Sequence, residues 1–376
     1  MRLFIEPNDV LMFRDGRPFA GGDDHFARGI FPPSPATFYG ALRSHILSHC
    51  WSEFDKFKAW PEQIPEDVRK EIGTPDEFGS IVLRQFTLAK RNGSGTEQYF
   101  PMPMDVVKEK GKEEDRTYIL KSAKLSGRKM ITDLPHGLGN MWIYSENPME
   151  AVQGFLSSDE MGKYLLCKAP SGWRRPDELF NTEDRTGIRK NRSKRSVETG
   201  GLYSVEYFRL KNDTGFTIEL ENTSLLPPSG VLKLGGDNRS AMYSWTSWDE
   251  LPVDRIKKKI SDDKRFKLML ETPAVFNKGW VPGWINGDTM QGEIDGITVK
   301  LISACVGKPI GIGGYDFVKN IPKVMKKAVP AGSVYYFDLI NGSVNSLFER
   351  LWLRSISDER SKEGFGITLI GGFDYV

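Results

Sequence analysis

Six basic side chains, Arg185, Arg189, Lys190, Arg192, Lys194 and Arg195, fall within eleven residues with no acid among them. Such a run can neutralise a phosphate backbone, and guanidinium groups add paired contacts to phosphate oxygens. Glycine segments offer the complementary chemistry, because glycine lets a chain approach an anion closely and present its N–H groups. The sequence has three: Gly235-Gly236 before Asp237-Asn238-Arg239, Gly311-Ile312-Gly313-Gly314, and Gly364-Phe365-Gly366 with Gly371-Gly372. Taken singly, each is also what a solvated surface or an ordinary turn looks like.

Catalytic constellations are thin. The four histidines are His25, His45, His49 and His136, and none follows residue 136. Metal-free RNA cleavage wants a general acid and base near the scissile phosphate, so His25, in a glycine loop, is the one candidate. Gly21-Gly22-Asp23-Asp24 has the form of the paired acids that hold two metals in palm domains. Residues 20–33, however, carry turn formers and Pro32-Pro33 rather than a second strand with a third carboxylate, so a solvated loop is expected. His45 and His49, at i and i+4 beside Cys50, lack an obvious further ligand and read as packed histidines. Gly307-Lys308 has Ile302 where a P-loop needs its first glycine, and Gly311–Gly314 lacks the third glycine of a dinucleotide fingerprint. No catalytic residue, metal or cofactor is expected.

The elements that must position these residues follow from pattern. Residues 2–5 and 10–14 read as strands around Pro7-Asn8-Asp9. Ser34 as N-cap and Pro35 at the first helical position open a helix whose Phe38, Ala41, Leu42, Ile46 and Cys50 share an apolar arc. Residues 52–77, acidic and interrupted by prolines, read as a surface excursion with a short helix. Strands follow near 80–90 and 99–102, and Lys108–Arg116 has the charge of a disordered insertion. The basic run is read as a loop, mobile without a ligand, before strands at 202–210, 215–221 and 241–245. Residues 251–262 read as a linker or short basic helix. The second half gives strands at 265–271, 298–305 and 332–339, then a helix over 344–354 with Val344, Leu347, Phe348, Leu351 and Trp352 on one face. Leu353 falls opposite Val344 and is expected to face outward, toward a partner. A glycine turn and a last strand close the chain.

Three strands, a helix, a glycine loop and a strand make a ferredoxin-like plan without an obvious first helix, and the first half repeats it coarsely. The expected fold class is therefore α+β, with two tandem ferredoxin-like (RRM-like) domains carrying glycine-rich loops and insertions. They span 1–250 and 263–376 and are joined by 251–262. A length of 376 residues suits two cores better than one. With 52 basic against 50 acidic side chains the net charge is only +2, so any case for a nucleic-acid partner rests on distribution. The start lacks the apolar region of a signal peptide and no apolar run reaches a membrane span, so neither secretion nor a membrane is expected. Cys50, Cys167 and Cys305 are too scattered for a disulfide framework or a zinc site, which suits a reducing cytoplasm.

Short segments along the whole chain, in order, resemble one known family. Phe13-Arg14-Asp15-Gly16-Arg17-Pro18-Phe19, then Phe31-Pro32-Pro33-Ser34-Pro35-Ala36-Thr37 with Gly40-Ala41-Leu42-Arg43, are similar to the N-terminal signature of the third subunits of Cmr complexes. These are RAMP-superfamily proteins of type III-B CRISPR-Cas systems. Arg185-Thr186-Gly187-Ile188, Gly201-Leu202-Tyr203-Ser204-Val205-Glu206, Leu234-Gly235-Gly236-Asp237-Asn238-Arg239, Thr272-Pro273-Ala274-Val275-Phe276, Val329–Phe337 and the closing glycines continue the likeness. The resemblance implies a non-catalytic subunit that grips the 5' handle of the CRISPR RNA and docks a large polymerase-like subunit and a backbone subunit. It makes Arg14, Arg17, Arg43, Asn238 and Arg239 handle-contact candidates. Gly235 and Gly236 join them through the glycine chemistry above, and Arg189, Lys190, Arg192, Lys194 and Arg195 through charge. The rival readings are a RAMP endoribonuclease that processes precursor RNA, and a scaffold that bridges proteins alone.

Overall fold

The computed structural model describes residues 1–14, 26–93, 95–111, 116–122, 138–191, 193, 196–316 and 320–374. The fold is mixed α+β, dominated by two antiparallel sheets. The first has seven strands in the spatial order Phe155–Ser157, Gly95–Pro101, Val82–Asn92, Thr214–Glu221, Arg2–Pro7, Ser240–Trp245, Ser229–Lys233. The alternation of Arg2–Pro7 explains its central place: Leu3 and Ile5 enter the core beneath the first helix, while Phe4 lies on the reverse face under the Arg91 guanidinium. That helix, Pro35–Cys50, starts at its proline and buries Phe38, Leu42 and Ile46 at i, i+4 and i+8. Ser34 occupies the N-cap, but its hydroxyl makes no capping hydrogen bond.

The second sheet runs Gln291–Ile294, Ile297–Cys305, Val334–Asn341, Arg265–Leu270, Thr368–Gly371. The helix Val344–Leu351 packs on it through Val344, Leu347, Phe348 and Leu351, and the Ser343 hydroxyl caps it by accepting from the Ser346 N–H. The helix stops three residues short of the expected 354. Leu353 lies beyond it in a left-handed conformation (φ 50°), donates its N–H to the Thr368 carbonyl and packs partly buried against both cores, so it is not an outward-facing leucine.

The two cores do not follow the order of the chain. Phe100, Met102, Val106, Leu156, Met161, Tyr164 and Leu165 pack into the core of the second sheet, although Phe100 and Leu156 lie on strands of the first. Residues 251–262 contribute too: Val253–Asp263 is a helix whose Ile256 and Ile260 are fully buried in that second core. Lys108 and Glu109, placed by composition in an insertion, lie in a strand, Val106–Glu109, paired with Met149–Ala151. Across the joint, the Glu271 carboxylate accepts the Phe86 N–H (2.8 Å), and Arg354 pairs with Glu221 (3.0 Å).

The basic run is not a loop up to residue 191. Phe180–Asn191 and Ser196–Leu210 form a two-stranded ribbon, with Phe26–Ala27 added along the second strand. Twelve residues at ~3.3 Å each make it about 40 Å long. Its root is clamped by Phe31, whose ring centroid lies 4.0 Å from that of Phe180 and 4.9 Å from that of Phe208.

Candidate nucleic-acid interface

The glycine turn, the segment after the first strand and the ribbon meet on one surface. Leu11 exchanges two backbone hydrogen bonds of 2.8 Å with Phe208, which ties the segment to the ribbon. The turn closes over it: the Gly236 N–H donates to the Met12 carbonyl, and the Leu234 N–H to the Arg239 carbonyl, both at 2.8 Å. Gly235 has φ +76°, and a Cβ there would lie 2.5 Å from the Met12 oxygen, so only glycine fits. Asp237 and Asn238 continue in left-handed conformations that short polar side chains tolerate.

Tyr207 organises the charges above this turn. The Arg185 and Arg239 guanidinium carbons each lie 5.0 Å from its ring centroid, and its hydroxyl donates to Asp237 at 3.0 Å. Arg239 also pairs with Asp237 (3.0 Å), and its Nε has no hydrogen-bond acceptor. Arg209, two residues on along the same strand face, pairs with Glu183 and with Asp9 (3.0 Å). The Val10 N–H, then Arg209 and Arg185, hold the Asp9 carboxyl below its ordinary range. Hydrogen bonds from Arg209 and Arg185 do the same for Glu183.

Outward along the ribbon, Tyr203 lays its ring across Gly187, where a Cβ would collide with it, and is 38% exposed. Arg189 and Lys190 are exposed farther out. Ile188 and Leu202, a cross-strand pair, are both exposed as well. Arginines and a part-exposed aromatic ring on one surface form a combination suited to single-stranded nucleic acid, while the glycines of the turn are spent on its close approach to Met12.

Of the residues singled out in the sequence, Arg14, Arg189, Lys190, Gly235, Gly236, Asn238 and Arg239 fall on the ribbon or on the segment and turn at its root, Arg14 bridging to Gly29 just after the first strand. Arg17, Arg192, Lys194 and Arg195 lie outside the described residues, as do Asp23, Asp24, His25 and His136. Arg43 has a different setting. Its guanidinium stacks over Tyr39 and Phe78 and donates to the Thr74 carbonyl (3.1 Å), none of which belongs to the Asp9 cluster. The closing glycines are also elsewhere. Gly364 and Gly366 are buried with positive φ against Leu83 and Ser357, so they permit close packing and offer no open cradle. His45 shares a 3.0 Å hydrogen bond with the Tyr243 hydroxyl, and burial with the nearby His49 lowers its pKa. Among the described residues no three His, Cys, Asp or Glu side chains gather into a metal-holding group, and no helix is long and apolar enough to cross a membrane. Sequence reasoning missed Asp9, Glu183, Tyr207 and Arg209. The period-two row Tyr203, Val205, Tyr207, Arg209 was the available signal for the last two.

Comparison with known proteins decides the family. The family model described as CRISPR-associated protein (Cas_Cmr3) matches residues 3–372. The chain belongs to the Cas_Cmr3 family. Among the relatives of this Cas_Cmr3 protein, the CRISPR system CMR subunit Cmr3 of Saccharolobus solfataricus is 25% identical over 353 residues, covering 92% of this chain and 90% of the relative. A chain in the cryo-EM structure of the Type III-B Cmr-beta bound to cognate target RNA matches with a TM-score of 0.51 and 17% identity, over 89% of this chain and 86% of that one. The same assembly with target RNA and AMPPnP contains a chain that matches at TM-score 0.50 and 16% identity, with the same coverage. These likenesses show a shared fold.

Proposed function

We propose that this Cas_Cmr3 protein is the RNA-gripping, non-cutting subunit of a type III-B effector complex. It holds the 5' handle of the CRISPR RNA, docks a large polymerase-like subunit and a backbone subunit, and works in the cytoplasm without a metal or cofactor of its own. One observation carries this reading: the glycine turn, Arg239, Arg185 and the basic ribbon converge on one surface around the ring of Tyr207. The RNA set comprises Arg14, Gly235, Gly236, Asn238, Arg239 and the ribbon bases Arg189 and Lys190, with Arg17, Arg192, Lys194 and Arg195 from outside the described residues. Arg43 we assign to the fold. The two-unit reading, 1–250 and 263–376 around 251–262, draws support from strand order. Ser240–Trp245, Arg2–Pro7, Thr214–Glu221, Val82–Asn92 and Thr368–Gly371, Arg265–Leu270, Val334–Asn341, Ile297–Cys305 repeat one antiparallel 4-1-3-2 pattern, that of a ferredoxin-like sheet.

The test uses the full chain with CRISPR RNA bearing its native or a scrambled 5' handle, titrated over a salt series. Replacing Lys190, Arg192, Lys194 and Arg195 by Ala should flatten the log-affinity against log-salt slope by about 3 and weaken both RNAs alike, because phosphate contacts carry no base information. Asn238→Ala or Arg239→Ala should instead reduce preference for the native handle, with a slope change of no more than about one. Unchanged slope and preference in all variants would overturn the reading. Specific cleavage lost in His25→Ala would replace it with the endoribonuclease.

A further inference from the structure

Asp9 lies among three guanidinium groups. Its carboxylate oxygens are 3.0 Å from Arg209 Nη1, 3.4 Å from Arg239 Nη1 and 3.9 Å from Arg185 Nη2. The three arginines come from the two ribbon strands and the glycine turn, and Asp9 from the bend after the first strand, so folding alone brings them together. Two further acids share them: Glu183 pairs with Arg185 and Arg209, and Asp237 with Arg239. Among the described residues these three cations thus face three anions, and the cluster itself is locally neutral. Asp9 differs from the other two acids in reaching all three arginines, and its side chain, 47% exposed against 55% for Asp237, can be reached from solvent.

A carboxylate and a phosphodiester present a guanidinium with the same feature, two oxygen acceptors spaced to match its paired N–H groups. An arriving phosphate finds these arginines occupied and gains their contacts by taking a carboxylate's place. Glu183 bonds Arg185 on its own strand and Arg209 across the ribbon, and Asp237 is also bonded by the Tyr207 hydroxyl.

We propose that Asp9 stands in for an RNA phosphate: in the free protein its carboxylate keeps Arg185, Arg209 and Arg239 turned toward one point, and on binding it yields them to a phosphodiester of the RNA. The proposal rests on the reading of this surface as the RNA site. It makes Asp9 a selectivity device, because a ligand must compete with a resident anion and isolated anions lose that competition more readily than a chain of phosphates. The opposing picture, in which Asp9 remains bonded and simply stiffens the arginines, gives the opposite sign on its removal.

The experiment measures fluorescence anisotropy of a labelled single-stranded oligouridine with the full chain, as wild type, Asp9→Asn and Arg239→Ala, over a salt series, with a thermal melt of each variant. Asp9→Asn should bind about two- to five-fold more tightly, the size of one exposed ion pair no longer to be broken. Its salt slope should steepen by up to about 0.7. Arg239→Ala should bind more weakly. If Asp9→Asn binds equally or more weakly while Arg239→Ala weakens binding, the stand-in role is overturned and the RNA surface survives. If Arg239→Ala and the further variants Arg185→Ala and Arg209→Ala all leave affinity unchanged, the surface reading falls and the Asp9 proposal with it. Should Asp9→Asn melt early, Asp9→Ser carries the same comparison.

Discussion

Arg43 and Arg239 read alike in the sequence, each a base inside a family motif, and the fold separates them by what their planes touch. Arg43 lies against two aromatic rings with its remaining contact on a carbonyl, and burial lowers its pKa, the signature of a side chain spent on packing. Arg43→Ala should therefore lower stability by about 1–2 kcal/mol and leave RNA affinity within error. A matched melt and binding titration checks this, and a loss of affinity without a loss of stability would return Arg43 to the RNA set. Base-rich positions were legible because charge is written in single letters. The Asp9 cluster was not, because its members pair over separations such as 9 to 239 and 183 to 209, and no local pattern joins an acid in a turn to an arginine in a distant strand.

At the scale of elements, apolar alternation placed most strands of the two sheets to within a few residues but missed the edge strands Phe155–Ser157, Ser229–Lys233 and Gln291–Ile294, and it gave residues 10–14 a strand where the structure has isolated bridges at Leu11 and Arg14. It found 202–210 of the ribbon and missed its first strand, since a strand exposed on much of its surface has no hydrophobic period. Its polarity, read as looseness, is that of an arm held by pairing rather than by burial. The joint between the sheets was equally invisible. The Phe86 N–H lies past the last paired residues of the neighbouring Gly95–Pro101 strand and finds its acceptor in Glu271, a wholly buried carboxylate. Burial pushes the Glu271 pKa up to about 8, against the opposing hydrogen bonds of Phe86 and Gln85. A carboxyl raised in the folded state favours its protonated form there. Its contribution is thus complete below about pH 4.5, the unfolded value, and is lost as pH rises toward 8. Glu271→Gln keeps an acceptor for Phe86 without the charge. It should gain on the order of a few kcal/mol over wild type near pH 9, with the gap closing toward pH 5. Melts across that range test it, and parallel curves would refute it.

For the whole molecule, the two sheets were legible as two halves, but the ownership of the cores was not. Phe100, Met102, Val106, Leu156, Met161, Tyr164 and Leu165 precede the second sheet by a hundred positions or more and still fill its interior, because hydrophobic periodicity says that a face is buried and not against what. The fragment 263–376 lacks Phe100, Leu156, Met161, Tyr164 and Ile256 of that core. Expressed alone it should show no cooperative thermal transition, whereas the full chain should, and a sharp melt of the fragment would contradict this. The ribbon also has a mechanical meaning. The arm is held not only by Phe31, Phe180 and Phe208 but also by Phe26–Ala27, which pairs with Ser204 and Val205, and Val205 pairs in turn with Arg185. The anchored length therefore reaches Arg185, and the part beyond it, with Arg189 and Lys190, carries no third strand among the described residues. On the RNA reading proposed above, a load at the far end bends that overhang and leaves the charge cluster at the root in place.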